Sequence, residues 1–183
     1  FLIIVFLTSW IVVYGCNKNK IGGFLDDYAY VIKSFIKYFE TTQNFTYLNK
    51  ARELIEETIK NFYCPKNKLF YYTSNTSEKL ISRKIEIFDS VIPSSNSIMY
   101  YNLLFLGKIY DDTLYLNIYN NMNFKLEKYL NNYEFMSNWI HVNNLNKSQI
   151  NEIIVNDPSN KKSIIDKINS KYIPNKILIH NKG

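Results

Sequence analysis

Glycine and proline are scarce in this chain, with 5 Gly and 4 Pro among 183 residues. Sandwich and barrel folds need many tight turns, so this scarcity favours long helices over a turn-rich β architecture. Hydrophobic residues make up 46% and charged residues 21% of the sequence, which are proportions of a globular protein and argue against general disorder. The length fits one domain, or one domain with a small appendage.

Cysteine is also rare. Cys16 and Cys64 are far apart in the sequence and form no C-x-x-C pair. Neither a disulfide framework nor a zinc site is expected from two such thiols, and the sequence predicts no metal and no cofactor. Isolated thiols are typical of a reducing compartment, so we expect a cytoplasmic location.

Common catalytic motifs are absent as well. The sequence has no G-x-S-x-G nucleophile elbow, so Ser94 and Ser97 are not expected to act as serine-hydrolase nucleophiles. His141 follows an aromatic stretch and His180 ends a predicted strand, and both are interpreted as structural. No glycine-rich phosphate-binding loop is present either.

Positive charge is not concentrated in any one stretch. Basic residues outnumber acidic ones by 22 to 16, which gives a net charge of +6. The basic residues are scattered, and their closest clusters are pairs, whereas a nucleic-acid surface would gather them on one face. We therefore expect a solvated basic surface and no nucleic-acid partner.

The chain opens with a nearly continuous apolar segment at residues 1–14. It is short for a membrane span, which needs about 20 residues. Three interpretations stay open for residues 1–20: a signal or anchor with a lipoprotein-like box before Cys16, a buried segment of a larger domain, or non-native sequence from a damaged gene. The missing initiating Met and the missing basic leader favour the last two, and a truncated start. Membrane anchorage is the alternative to the cytoplasmic location.

Helical periodicity dominates residues 21–142, where we predict hairpins of packed helices. The first helix is predicted over residues 24–41, with an apolar face and with Asp26 and Asp27 in its first turn, where the helix dipole favours acids. A second helix is predicted over residues 46–62, antiparallel to the first because the loop between them is short. A third begins after Pro93 with Ser94 or Ser95 as N-cap and ends near Gly107.

The remaining elements are predicted from shorter signals. A strand is expected at residues 69–73, and residues 80–88 are compatible with an extended chain. Helices are expected at residues 111–129 and 133–141. Polar residues 143–149 are typical of a linker. The tail, residues 150–183, is predicted as a β-α-β appendage whose two strands are parallel.

Several segments resemble, in the same order, a known family. They are GGFLDDYAY, then FYYTS, then Arg83 to Asp89 leading into IPSSNS, and finally IIVND with KYIPNKILIH. This order is similar to the C-terminal part of the YyaL-type, spermatogenesis-associated, thioredoxin-domain-containing family, and it covers residues 21–183. The resemblance implies a mainly α fold: part of an (α/α) toroid of the six-hairpin glycosidase and sugar-epimerase type. It also implies that a thioredoxin-like domain is missing from this chain as a partner.

The resemblance further implies a ligand site facing a central cavity, with a carbohydrate-like small molecule as its ligand. Paired acids are the general acid and base of glycoside chemistry, so the candidate catalytic residues are Asp26, Asp27 and Asp89. Many family members have Gly in place of Ser95 and Lys in place of Ile85. The candidate ligand-binding residues are Tyr28, Arg83, Glu86, Ser94 and Asn96.

A structural interpretation of the same residues stays open. Adjacent Asp26 and Asp27 do not share a helix face, so their spacing does not make them a catalytic pair. On this interpretation they stabilise the helix start, Asp89 and Asn96 cap loops, and Arg83 pairs with Glu86. The alternative function is therefore a non-enzymatic helical scaffold or interaction module, which residues 1–16 would tether to a membrane.

Overall fold

A computed structural model describes residues 23–77, 82–126, 129, 133–156, 162–173 and 175–181. Helices dominate this described part, which confirms the predicted mainly α class. Two small two-stranded sheets accompany them. The helices are α1 (Leu25–Thr42), α2 (Phe45–Phe62), α3 (Ser95–Tyr110), α4 (Thr113–Leu126), α5 (Ser137–Lys147) and α6 (Lys162–Asn169), and the strands are β1 (Tyr63–Cys64), β2 (Leu69–Phe70), β3 (Asn151–Asn156) and β4 (Lys176–Asn181).

Helices α1 and α2 form the predicted hairpin. The backbone N–H of Phe24 donates to Asp27 Oδ2 at 2.9 Å, so an acid of the first turn secures the start of α1. Gln43 closes the helix in the left-handed conformation, and its N–H donates to the Phe39 carbonyl. One residue later the Asn44 side chain accepts from Thr46 N at 3.0 Å and begins α2.

Helix α3 is the centre of the fold. Every residue from Ser95 to Gly107 is buried, as expected of a helix enclosed on all sides. It packs against α1, α4 and α5. It runs parallel to α1, since Asp26 lies beside Ser95 near the starts of the two helices and Lys37 lies over the Tyr101 ring farther along both. The N-termini of α1 and α3 therefore lie at the same end.

Close packing of α3 on α4 depends on Gly107. A Cβ atom there would lie 2.8 Å from Leu116 Cδ2 and 2.9 Å from its Cγ. Gly107→Val is expected to lower the free energy of unfolding by about 2 kcal/mol, since overpacking a core costs about 1–3 kcal/mol. Lys108→Val, at an exposed position of the same turn, is the matched control and should cost less than about 1 kcal/mol. Urea melts measure both, and equal losses would contradict the close approach.

Helix α5 differs from its prediction. It begins at Ser137, after a short turn at residues 133–135, and continues to Lys147. The prediction of a linker at residues 143–149 is therefore wrong as far as residue 147. The physical reason is that Val142 is buried and Leu145 packs against the core, so an Asn-rich stretch still presents an apolar side.

Short strands also depart from the prediction. Of the strand predicted at residues 69–73, only β2 forms regular pairing in the described structure. It pairs antiparallel with β1, which was not predicted from the sequence. Residues 82–88 form no regular strand. In the tail, by contrast, β3 and β4 pair in parallel with α6 between them, as predicted. His180 N donates to Gln43 Oε1 at 2.9 Å, which joins this tail to the end of α1.

Some predictions fall outside the described residues. At the start of the chain they concern the apolar segment 1–20 with Cys16 and the start of the first motif at residues 21–22. Farther along they concern residues 80–81, residues 127–128 at the predicted end of the fourth helix, and residues 157–161 and 174 of the tail. Within the part of the chain that is described, no helix combines the length and the apolar character that crossing a membrane requires.

Candidate functional site

The starts of α1, α3 and α5 are linked by residues 82–94. Ser94 caps α3, and Asp89 accepts from backbone groups of both α3 and α5. Trp139 Nε1 donates to the Ile87 carbonyl at 2.8 Å and holds the same segment against α5. Helix N-termini carry partial positive charge, so this end of the fold favours acidic side chains.

Asp26 lies half-buried at this end, in the first turn of α1. Burial raises the pKa of its carboxyl, and the negative charges of Glu86 and Asp27 raise it further. Hydrogen bonding from the Tyr72 and Ser95 hydroxyls opposes the rise. The carboxyl groups of Asp26 and Glu86 thus come from separate segments and act on each other, an arrangement that is typical of functional sites.

Aromatic rings lie beside these acids. The exposed Phe24 ring stacks on Tyr72, with centroids 5.1 Å apart and planes inclined by 14°. Leu25 N donates to the Tyr72 carbonyl at 2.9 Å, which fixes Tyr72 beside the start of α1. Burial, with the charge of Asp26, raises the pKa of Tyr72 to about 12, and the same two causes raise the pKa of Tyr30 to about 12. Both hydroxyls therefore remain protonated donors at neutral pH.

Ser95 completes the group. Its side chain is fully buried, and its hydroxyl oxygen makes no hydrogen bond within 3.5 Å to the described residues, although it is close enough to Asp26 to influence that carboxyl. The Asp26 carboxyl is therefore the polar group that this buried hydroxyl faces. We call this group the acid–aromatic site, and its members are Phe24, Asp26, Tyr72, Glu86 and Ser95.

Asp89 is close to this site in sequence but is engaged in structural hydrogen bonds. Its Oδ1 accepts from Ser94 N at 2.8 Å and from Ser97 Oγ at 2.9 Å. Its Oδ2 accepts from Asn138 N at 2.9 Å. The side chain is buried, so a single carboxylate secures the starts of two helices. Ser94 is likewise occupied, since its hydroxyl donates to the Ile87 carbonyl.

Asn96 also binds backbone. Its Oδ1 accepts from Phe70 N at 2.8 Å, and its Nδ2 donates to the carbonyls of Phe70 and Glu86, each at 2.9 Å. The residue is completely buried. Asn96 therefore acts as an extra strand partner for β2 and joins it to the start of α3.

The other predicted ligand residues point elsewhere. Arg83 donates to the carbonyls of Thr73 and Asn61, and its guanidinium lies 4.1 Å from the centroid of the Tyr71 ring. Tyr28 packs on Phe62 of α2, and its hydroxyl contacts Glu57. Asp27 serves the start of α1 as described above. The structure thus brings Asp26 and Glu86 together but places Arg83 and Tyr28 towards α2.

The suggested pairing of Arg83 with Glu86 is wrong. Glu86 Oε1 accepts instead from Lys84 Nζ at 2.8 Å, an exposed ion pair of little energetic weight. Arg83 instead binds the backbone carbonyls of Thr73 and Asn61. Ile85, where many family members have Lys, is partly buried and packs against the hydrophobic core.

Sequence reasoning missed Phe24, Tyr72 and Tyr30 as members or neighbours of the site. In the sequence, Tyr72 lies within the strand predicted at residues 69–73 and Tyr30 within the first predicted helix. The sequence feature that could have indicated them is that FYYTS, which contains Tyr72, and GGFLDDYAY, which contains Phe24, Asp26 and Tyr30, both belong to the segments that carry the resemblance. Among the residues that the structure describes, no cluster of three or more His, Cys, Asp or Glu could hold a metal ion.

The raised pKa of Asp26 predicts the sign of a stability change. When the pKa is higher in the folded state than in the unfolded state, ionisation above that pKa costs stability. Asp26→Asn is therefore expected to raise Tm at pH 7 by no more than about 3 °C. The gain should shrink as the pH falls to about 3.9, the ordinary Asp value, because Asp26 is then protonated in the folded state.

Thermal melts between pH 4 and pH 7 measure this difference. Asp166→Asn, at an exposed position on α6, is the matched control and should leave Tm unchanged at both ends of the range. A lower Tm for Asp26→Asn at pH 7 would show that the carboxylate stabilises the fold instead.

The chain matches no protein-family model and no curated protein. The acid–aromatic site is therefore defined by geometry, with the carboxyl groups of Asp26 and Glu86 beside the stacked rings of Phe24 and Tyr72.

Proposed function

We propose that the acid–aromatic site binds a sugar-like ligand. The observation that carries this proposal is the placement of two carboxyl groups, Asp26 and Glu86, beside the exposed Phe24 ring stacked on the partly buried Tyr72. Carboxylate oxygens accept hydrogen bonds from sugar hydroxyls, and an aromatic face packs on the apolar face of a pyranose ring.

We further propose that the hairpins belong to an (α/α) toroid in a cytoplasmic protein similar to the YyaL-type family. Parallel packing of α1 and α3, each followed by an antiparallel neighbour, supports this arrangement. In the intact protein, Asp26 would be the proton donor of an isomerase or hydrolase, since its raised pKa keeps the acid form present at higher pH. Glu86 would be the second carboxyl group of that reaction.

Saccharide titration of the full chain tests the proposal. A panel of neutral monosaccharides and their methyl glycosides, followed by ligand-observed NMR, should give at least one binder. Asp26→Asn should weaken binding of that sugar about tenfold, because a hydrogen bond to a charged group contributes about 1.5–3 kcal/mol. Phe24→Ala should also weaken binding about tenfold, because it removes the aromatic face on which the sugar ring packs. Glu53→Gln on the exposed side of α2 and Phe124→Ala on α4 are the matched controls and should bind normally.

A scaffold function is the second candidate, and a specific observation favours it. Asp89, a candidate catalytic residue, and Arg83 and Asn96, two candidate ligand-binding residues, all use their side chains to bind backbone groups of this chain. Asp89 also accepts from the Ser97 hydroxyl. An absence of binding across the panel, with Asp26→Asn and Phe24→Ala both silent, would overturn the sugar proposal and leave the scaffold as the function that the contacts support.

A further inference from the structure

A cavity separate from the acid–aromatic site lies towards the opposite end of α1 from Asp26. A cavity of about 390 Å³ opens between α1, α3, α5 and the C-terminal tail. Its size is at the small end of the range for ligand pockets, which is about 300–1,000 Å³. Ten residues of α1 lie between Asp26 and Lys37 on the cavity wall, so the two sites are distinct.

Apolar side chains from three parts of the fold make most of the cavity wall. Leu104 and Phe105 come from α3, Leu145 comes from α5, and Ile173 and Ile177 come from the tail. The Phe105 ring stacks on Tyr101, with centroids 5.8 Å apart, and extends the apolar surface. A ligand with a hydrocarbon or aromatic body would bury its apolar surface here.

Charged groups at the cavity are mainly basic. Lys37 and Glu40 form an ion pair at 2.7 Å beside Tyr101, so their charges largely cancel. Lys176 adds a positive charge. Its Nζ makes one long hydrogen bond, of 3.4 Å, to the Ile168 carbonyl, so its other N–H groups can donate to a ligand. His141 also lines the cavity and is exposed to solvent. The polar edge therefore favours a single negative charge.

We propose that this cavity binds a small monocarboxylate with an apolar body, of the size of a ten-carbon acid. The hydrocarbon part lies against Leu104, Phe105 and Leu145, and the carboxylate is held by Lys176. A dianion is disfavoured, because Glu40 offsets the charge of Lys37 and, among the described residues that line the cavity, Lys176 is the remaining fixed positive charge. The site is independent of the proposed sugar site.

Calorimetric titration of the full chain with decanoate tests the proposal, with decanol as the uncharged probe of equal length. Decanoate should bind more tightly than decanol. Lys176→Gln should weaken decanoate about fivefold and leave decanol unchanged, since a partly exposed charge pair contributes up to about 1 kcal/mol. Lys60→Gln, an exposed lysine on α2, is the matched control and should change neither.

Leu145→Trp tests the cavity itself. The larger side chain should fill the space and abolish binding of both probes, while a thermal melt shows that the variant still folds. Equal affinity for decanoate and decanol, unchanged decanoate affinity in Lys176→Gln, or normal binding by folded Leu145→Trp would each overturn the proposal. If Leu145→Trp does not fold, the Lys176→Gln comparison decides alone.

Discussion

Asp89→Asn is expected to lower the free energy of unfolding by about 3 kcal/mol, because an amide cannot replace the three hydrogen bonds that the carboxylate accepts. Ser94 N and Ser97 Oγ donate to one oxygen, and Asn138 N donates to the other. An asparagine has only one acceptor oxygen, so its NH₂ group must face a backbone N–H of α3 or α5. A buried donor without a partner costs about 1–3 kcal/mol.

Loss of charge adds to this cost. Asp89 lies at the starts of α3 and α5, where a negative charge contributes up to about 2 kcal/mol in a partly buried position. The neutral amide gives up that interaction with both helices. The effect is therefore larger than the loss of an ordinary N-cap, which costs about 0.5–2 kcal/mol.

Urea denaturation at pH 7 measures the change. Glu53→Gln makes the same chemical replacement at an exposed position on α2 and should change stability by less than about 0.5 kcal/mol. A loss below about 1 kcal/mol for Asp89→Asn would contradict the double-capping arrangement. Asp89 would then again be a candidate site residue, since its carboxylate would not be needed to stabilise the starts of α3 and α5.

Local patterns were enough to predict the larger elements. The apolar spacing from Leu25 to Phe39 determined α1, because a single buried face is a property of the helix itself. The N-cap, predicted at Ser94 or Ser95, was equally local, since the Ser94 hydroxyl accepts from Ser97 N only three residues away. The parallel pairing of β3 with β4 followed from the alternation of strand, helix and strand.

Contacts between distant segments were not predictable in the same way. Asp26, Tyr72 and Ser95 meet only after three separate segments have packed, and no spacing in the sequence encodes that meeting. The resemblance indicated Asp26 and Glu86, but their electrostatic coupling depends on the structure. Residues 143–147 looked like a linker because asparagine is common in loops, yet burial of Val142 outweighs that preference.

Asn96→Asp is expected to be among the most destabilising substitutions, and its effect should depend on pH. The Asn96 NH₂ group donates to the carbonyls of Phe70 and Glu86. A carboxylate in its place would face those two oxygens without a proton to share, in a completely buried position. At pH 7 we expect a loss of about 3–5 kcal/mol, as for other uncompensated buried charges.

The sign of the pH dependence follows from protonation. A neutral carboxylic acid can donate one hydrogen bond to either carbonyl, so the introduced acid has a higher pKa in the folded state than in the unfolded state. The folded variant then binds its proton more tightly, and the stability deficit shrinks as the pH falls through that raised pKa. Asn96→Ala removes the same hydrogen bonds without adding a charge, so its deficit has no such dependence.

Urea midpoints at pH 7 and pH 4.5 separate the two variants. Relative to Asn96→Ala, Asn96→Asp should be less stable at pH 7 and should recover at least about 1 kcal/mol at pH 4.5. The difference in unfolding free energy between the two variants at each pH is used, because the pH dependence of the rest of the chain is the same in both and cancels. A constant difference between them would mean that position 96 does not face the two carbonyls, and that β2 is held to α3 by packing alone.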